Sequence, residues 1–531
     1  MLNQNIKNKI QSLWDRLWAG GLSNPISAIE QISYLLFMKR LESFNPQSPK
    51  EYWWSFYHEF EDEELALHLK NKVFEYIKND LAEEGEPFAK ALADASFYFN
   101  KDKASLLKDA IIHIDGIYEE IDAEIKNKNQ HFQDIQGDVY EYLLKHTNEA
   151  GKNGQFRTPR HIINMMTEIL KPDIDGKICD IACGSGGFLV GAYQYIITKY
   201  SKEITKDDDG LFKGTDAKKL SKSKKDKLKE DIFYGYDVDQ TMVRIGVMNM
   251  MMHGITKPNI ENVDSLSIRY EEVEAKRLDL LLDKKDNKTI TNPKLQGQYK
   301  YILANPPFTG KINSVGVSEN IDRVYPPKYD KNKKRIKQTV QSELLFIDRI
   351  IYMLEVGGKA AVIVPEGVLF NSGGAYKKTR EILMTDCDLE GVISLPSGVF
   401  EPYTAVKTSI LIIKKRKFKN GFDKPQAIKV WFYGMESDGY SLDKNRKRLK
   451  NEPLPLVIDR WNNKEKLEQH NTKLDYFNIP YEEIKANGFE LNFNLYKEFV
   501  YKAPKFKSTE IIIKELHKLE NEISKGLSEL V

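Results

Sequence analysis

The sequence predicts an α/β protein: a doubly wound sheet of largely parallel strands, preceded by a helical domain and followed by a helical tail. Two observations predict it. From Asn3 to about Glu149 apolar residues recur every three or four positions with scarce β-branched alternation, the spacing of amphipathic helices. Around Gly151 the texture changes to short apolar runs, KICDIA, FYGYDV, YKYILAN, KAAVIVPEG, LEGVISLP and TSILIIKK, separated by helical stretches such as Glu343 to Leu354. Runs this continuous read as parallel strands buried on both faces, and their alternation with helices reads as βαβ units.

At ~150 residues per domain the 531 residues predict roughly three and a half domains, which excludes a peptide hormone or a single binding module. The texture divides them into a helical domain (1–150), the sheet domain (151–416), a less regular extension (417–504) and a terminal helix (505–531). Hydrophobic residues make 41% and charged residues 30% of the chain, and 80 Lys plus Arg against 78 Asp plus Glu leave a net charge of only +2. Nucleic-acid binding must therefore come from local basic patches rather than from the net field. The three cysteines, Cys179, Cys183 and Cys387, are too few and odd in number for a disulfide framework, so a reducing, cytoplasmic compartment is expected. The opening MLNQNIKNKI has no apolar signal-peptide core and no run of ~18 apolar residues follows, so neither secretion nor membrane spanning is expected.

In the front domain Asn24-Pro25 marks a helix start: the Asn side chain accepts from free amides, and Pro at the first helical position gives up only an unpaired N–H. Ile26, Ile29, Ile32, Leu35 and Leu36 then fall on one side of that helix. The aromatic patches Tyr52-Trp53-Trp54 and Phe97-Tyr98-Phe99 are either core or docking surface, with core the plainer choice. Two polar insertions interrupt the sheet domain, the Lys-rich Ser201 to Glu230 and Lys311 to Gln338, which carries KNKKRIK. From about Ser508 the closing helix steps through Ile512, Leu516, Leu519 and Ile523, a heptad-like stripe too short to be stable alone. It needs a surface, on its own domain or on another chain.

Three constellations carry chemistry. The first is Asp180-Ile181-Ala182-Cys183-Gly184-Ser185-Gly186-Gly187-Phe188, between the strand KICDIA and an apolar helix. Glycines let the backbone pass close under a ligand and the helix offers free N–H groups, although a plain tight turn uses the same residues. The loop lacks both Gly-x-Gly-x-x-Gly and the Lys-Ser/Thr ending of a phosphate loop, so pyrophosphate is not its natural ligand. The second is Asp237, closing the strand FYGYDV, where in dinucleotide folds an acid accepts from ribose hydroxyls. Together they define a site for adenosine without pyrophosphate, which S-adenosylmethionine fits. Asp264, in NIENVDSLS, is either an acceptor for the adenine amine or an ordinary loop acid. The third is Asn305-Pro306-Pro307-Phe308 after YKYILA. Two prolines cannot continue a central strand, so the chain breaks out at the sheet's carboxyl edge, where ligands of open α/β sheets lie. A rigid turn alone would look the same. The Asn305 amide oxygen and the Pro306 carbonyl both accept from an exocyclic NH₂, while Phe308 stacks on a flat ring, which makes a clamp for a planar amine.

On these residues the chain resembles the methyltransferase (M) subunit of type I restriction-modification systems, an adenine-N6 DNA methyltransferase family. NPPF is similar to the family's catalytic motif, DIACGSGGF to its cofactor loop, and Gly154-Gln155-Phe156-Arg157-Thr158-Pro159-Arg160 to the extra cofactor motif that precedes the sheet. WAGGLSNPISAIEQISYLLFMKRL and YEEIKANGFELNFNLY extend the likeness over nearly the whole chain. One departure is Ile181, where many members have Pro, a change expected to alter packing only. The resemblance implies a Rossmann-like S-adenosylmethionine-dependent methyltransferase sheet, catalytic roles for Asn305 through Phe308, and cofactor contacts from Gln155 through Arg160, with Phe156 beside the adenine and Thr158 at the methionine carboxylate. It also implies double-stranded DNA as substrate and three protein partners: a specificity subunit reached through the C-terminal helix, a second methyltransferase copy and a restriction subunit.

The nine His are scattered, without His-Glu-x-x-His or Cys-x-x-Cys, so no metal is expected. Pro307 stands where a covalent cytosine-C5 mechanism would want a Cys. Lys331, Lys333, Lys334, Arg335 and Lys337 follow the clamp and are candidates for DNA phosphate contacts, or else a solvated charge run. Two other functions stay open: a methyltransferase for an RNA base or a glutamine side-chain amide, and a non-catalytic assembly subunit that retains the fold. Asp237 together with NPPF argues against the second.

Overall fold

The computed structural model describes residues 3–81, 86–128, 137–140, 142–143, 158–280, 292–333, 335–416, 429–466, 471–498 and 508–528. Its centre is one nine-stranded sheet. In chain order the strands are β1 (Ile178–Asp180), β2 (Phe233–Asp237), β3 (Asn259–Asn262), β4 (Tyr299–Ala304), β5 (Leu354–Pro365), β6 (Cys387–Ser394), β7 (Thr408–Lys415), β8 (Lys429–Gly434) and β9 (Tyr476–Pro480). Across the sheet they run β9-β8-β6-β7-β5-β4-β1-β2-β3. β1 pairs in parallel with β2 on one side and with β4 on the other, so the winding direction reverses between β1 and β4. That reversal opens a crevice at the carboxyl ends of the two strands.

The expectation that every long apolar run lies parallel fails at TSILIIKK. β7 is antiparallel to both β5 and β6. The 13 residues between β6 and β7 hold no crossover helix, so the chain turns straight back, which only an antiparallel neighbour permits. The run is apolar because β7 is central and buried on both faces, whatever its direction. β8 and β9 extend the sheet into the region that reads as irregular from sequence.

The front helices Gln4–Ala19, Pro25–Phe44 and Ala104–Lys128 pack as a bundle. Asn24 caps the second, its Oδ1 accepting from the amides of Ile26 and Ser27 at 3.0 and 3.3 Å. Trp54, Phe97 and Phe99 are buried in the core, whereas Tyr52 and Trp53 are half-buried and Tyr98 is exposed. The bundle is not a separate globule: one apolar cluster runs from Ile6 through Met252 to Trp461. Several of its polar ties to the sheet domain reach the helix Gln240–Met252, and Lys90 pairs with Glu261 of β3 at 2.7 Å. Arg244 is buried between Glu30 and Asp94, and Arg40 donates to the Met251 and Met252 carbonyls at 3.1 Å.

The insertion after β4 forms a short hairpin, Lys311–Asn313 against Thr339–Gln341. Its loop is anchored by buried charge. Glu271 and Arg349, both fully buried, meet at 2.7 Å, and Glu271 also accepts from Ser318 Oγ and Asn320 Nδ2. Arg323 bridges Asp348 and Asp386.

Among the described residues the closing helix Thr509–Ser528 buries none of its side chains on its own domain, one of the two surfaces expected for it. Ile512, Leu516, Leu519 and Ile523 are 45 to 61% exposed. Among the described residues no helix is long and apolar enough to cross a membrane.

Candidate active site

At the crevice, the loop after β1 is fixed by backbone geometry and by three side chains. Gly184 (φ 50°) and Gly186 (φ 75°) take left-handed conformations, which let the loop turn into the helix Gly187–Lys199. The Cys183 amide donates to the Tyr236 carbonyl at 3.0 Å, and Cys183 itself is buried against Gly235, where any larger residue would collide with its sulfur. Asp237 takes two amides: Oδ2 accepts from Gly184 N at 2.8 Å and Oδ1 from Asp239 N at 2.9 Å. Asn249 Nδ2 donates to the Ser185 carbonyl at 2.8 Å, and Ser265 Oγ donates to the Ile181 carbonyl at 2.9 Å. Asp180 is buried beneath, accepting from the Ala182 amide at 3.1 Å. Burial pushes its carboxyl up to about 8 despite that amide, and the charge of Asp237 adds to the rise. Burial raises Asp237 as well.

The residues present fit an adenosine. The side-chain direction of Gly184 faces open space, and Val238, between Asp237 and Asp239, is 70% exposed, an apolar surface beside the strand-end acid. Asp264 follows β3 on the same edge; one oxygen accepts from Leu266 N at 2.9 Å and the residue is solvent-exposed.

Across the crevice, Asn305 follows β4. Its Nδ2 and Oδ1 are both buried and neither has a hydrogen-bond partner among the described residues. Such groups cost about 1–3 kcal/mol each when left unpaired, so a donor and an acceptor left open together mark a place where a ligand completes the bonding. Pro306 is buried and Pro307 exposed. Phe308 is only 2% exposed, held edge-on by Phe400 at 5.3 Å between ring centroids and 85° between planes. That edge-on contact fixes the plane of the Phe308 ring. Glu366, at the end of β5, accepts from Ser394 Oγ at 2.8 Å and pairs with Lys407 at 3.0 Å, a structural acid.

Thr158 is buried, Pro159 precedes the helix Arg160–Leu170, and Arg160 pairs with Asp138 at 2.7 Å. Gln155, Phe156, Arg157 and Lys334 lie outside the described residues. Lys331, Lys333 and Lys337 are exposed on the insertion that follows the clamp. Arg335 is a correction: it is buried and pairs with Glu319 at 3.6 Å, so it braces the loop from within and presents no charge to solvent.

Sequence inspection missed Val238, Asn249, Ser265 and Phe400. Val238 was legible as the residue next to the strand-end acid. Asn249 had a fainter sign, a lone polar residue among Val247, Met248, Met250, Met251 and Met252. Nothing local marks Ser265 or Phe400, which reach the site from distant parts of the chain.

The family model for N-6 DNA methylases matches residues 131–502. The chain is 29% identical over 485 residues to the type I restriction enzyme EcoEI methylase subunit of Escherichia coli, covering 86% of this chain and 84% of that one. It is 26% identical over 452 residues to the EcoKI methylase subunit of Escherichia coli strain K12, with 84% and 74% covered. In fold it is similar to the type I restriction-modification system methyltransferase subunit from Streptococcus thermophilus, with a TM-score of 0.60 at 18% identity over 93% of this chain and 100% of that one. With a family model that covers 131–502 of its 531 residues, the chain belongs to the N-6 DNA methylase family.

Proposed function

We propose that this DNA adenine-N6 methyltransferase is the modification subunit of a type I restriction-modification complex, and that Asn305 is the residue that receives the target amine. The observation that carries this is the unpaired, buried amide of Asn305 at the end of β4, across the crevice from the loop that Asp237 holds.

S-adenosylmethionine, when bound, supplies a methyl group activated by its sulfonium. Gly184, Asp237 and Val238 would hold its adenosine, with Asp180 and the residues from Gln155 to Arg160 around the remainder. The adenine amine is a poor nucleophile because its lone pair is delocalised into the ring. The Asn305 Oδ1 and the Pro306 carbonyl accept its two N–H groups and thereby favour a tetrahedral nitrogen, so the protein works mainly by positioning. The target atom is hidden in a duplex, and the base must be flipped at a cost of a few kcal/mol. Stacking on Phe308 offsets part of that cost, and Lys331, Lys333 and Lys337 add phosphate contacts near the clamp.

The complex would comprise duplex DNA, a specificity subunit docked on the exposed stripe of the closing helix, a second copy of this chain and a restriction subunit. An RNA base or a protein glutamine is not favoured, since the family consists of DNA methylases. The deciding experiment is methyl transfer from labelled S-adenosylmethionine to duplex DNA, with and without a co-expressed specificity subunit, read as N6-methyladenine by mass spectrometry. Label on cytosine, on protein or nowhere would refute the proposal.

A further inference from the structure

A second basic element leaves the sheet on the edge that carries the active site. β5, β6 and β8 run in the same direction, so the segment after β8 emerges beside the clamp, at the carboxyl edge. It is a built hairpin: Tyr440 and Arg448 form an antiparallel bridge, and the Ser441 amide donates to the Lys447 carbonyl at 2.7 Å. The base of this hairpin is tied into the protein interior. Buried Asp438 accepts from His161 at 2.8 Å and pairs with Arg446, while the Tyr440 ring stacks on His161 at 4.3 Å. Arg448 and the Tyr440 hydroxyl both reach Asp209.

The two arginines are therefore spent on internal acids, and Asp443, the acid within the turn, accepts from the Asn445 amide and Ser441 Oγ. Among the residues the hairpin shows to solvent, Lys444, Lys447 and Lys450 have no ion pair among the described residues, and Asp443 is the one exposed acid from 440 to 450. Three unspent cations against the exposed acid Asp443 leave the tip of this frame net positive, which suits a row of phosphates. Four strand spacings separate β4 from β8, about 19 Å. The insertion with Lys331 and Lys337 leaves β4 with the clamp and this hairpin leaves β8, so the two basic elements rise from strands whose spacing is on the scale of a duplex.

We propose that the Tyr440–Arg448 hairpin is a second arm, besides the insertion after β4, that grips the backbone of duplex DNA through Lys444, Lys447 and Lys450. The inference rests on the DNA reading above. Phosphate contacts carry no sequence information, so this arm adds affinity and register for every sequence alike.

The test compares the assembled complex carrying K444Q/K447Q/K450Q with the wild-type complex, titrated with cognate and non-cognate duplexes over a range of salt. A control complex carries K202Q/K257Q/K294Q, three exposed lysines in connections at the amino edge of the sheet. The expected result is weakening by roughly 10²-fold at ~0.1 M salt on both duplexes and a salt slope reduced by two to three units, with the control near wild type. S-adenosylmethionine affinity and melting temperature should stay unchanged. An unchanged slope, an equal loss in the control, or failure of the variant to assemble with its partner subunits would each overturn the proposal, the last by making the hairpin a protein contact. A wild-type complex that leaves DNA unmethylated would instead refute the function itself, and the same titration series reports it.

Discussion

Phe400 meets Phe308 edge-on, with 5.3 Å between ring centroids and an interplanar angle of 85°. The two residues lie 92 positions apart, one after β6 and the other after β4, yet the first decides what the second can do. Phe400→Ala removes an aromatic contact of about 0.5–1.5 kcal/mol beyond the area it buries. Methylation by the assembled complex should slow about tenfold while S-adenosylmethionine binding holds. Phe400→Tyr should restore the rate. Equal rates for Phe400→Ala and wild type would show that Phe308 needs no such support.

Asn305→Ala deletes both open hydrogen-bonding functions of the clamp. Turnover should fall at least ~10²-fold, as for other positioned polar groups. Cofactor affinity should be nearly unchanged, because the clamp follows β4 and the cofactor loop follows β1. Single-turnover methylation alongside calorimetry separates the two effects.

Asp237→Ala frees the amides of Gly184 and Asp239 together. With contacts worth roughly 1–3 kcal/mol lost, the dissociation constant for S-adenosylmethionine should rise about tenfold or more. Phe156→Ala tests the extra cofactor motif in the same calorimetric assay. Unchanged affinity in both variants would remove the site from this loop.

Asp180 gives the ligand-free protein a pH dependence. Burial raises its folded carboxyl to about 8, whereas an unfolded aspartate ionises near 3.9. The folded chain therefore keeps a proton that the unfolded chain has released. Its contribution to stability is fully present below about pH 3.9 and is lost as pH climbs through about 8. Melting temperature between pH ~6 and ~9 should consequently fall less in Asp180→Asn than in wild type. Parallel melting curves would show that Asp180 does not hold this proton.

Leu516→Asp with Leu519→Asp places two charges on the exposed stripe of the closing helix. Co-purification with the specificity subunit should be lost, whereas S-adenosylmethionine binding and the melting temperature of the free chain should not move. Retained co-purification would assign the stripe to a different partner.

Much of this was legible in the sequence because the relevant signals are local. A glycine loop between a strand and a helix, an acid closing the next strand and a proline pair ending another each declare themselves within a few residues. The direction of β7 was not legible, since apolar continuity records burial and is silent about orientation. KVWFYG is aromatic and β-branched enough to announce β8, but the polar, proline-containing surroundings from 417 to 504 masked it. Arg335 looked like its lysine neighbours because one-dimensional charge does not reveal that Glu319, sixteen residues earlier, folds against it. Ser265 and Phe400 escaped for the same reason: their roles exist only once β1, β3, β4 and β6 are aligned.

The helix Gln240–Met252 is a wall shared by two rooms. On one side Glu30, Asp94 and Arg40 hold it to the front bundle; on the other Asn249 holds the carbonyl of Ser185 in the cofactor loop. A chain shortened to begin at residue 158 would bare the outer face of that wall, leave Arg244 without either carboxylate and release the support behind Ser185. The minimal catalytic unit of this enzyme is consequently larger than its sheet, and a partner that pulls on the front helices pulls, through this helix, on the glycine loop after β1.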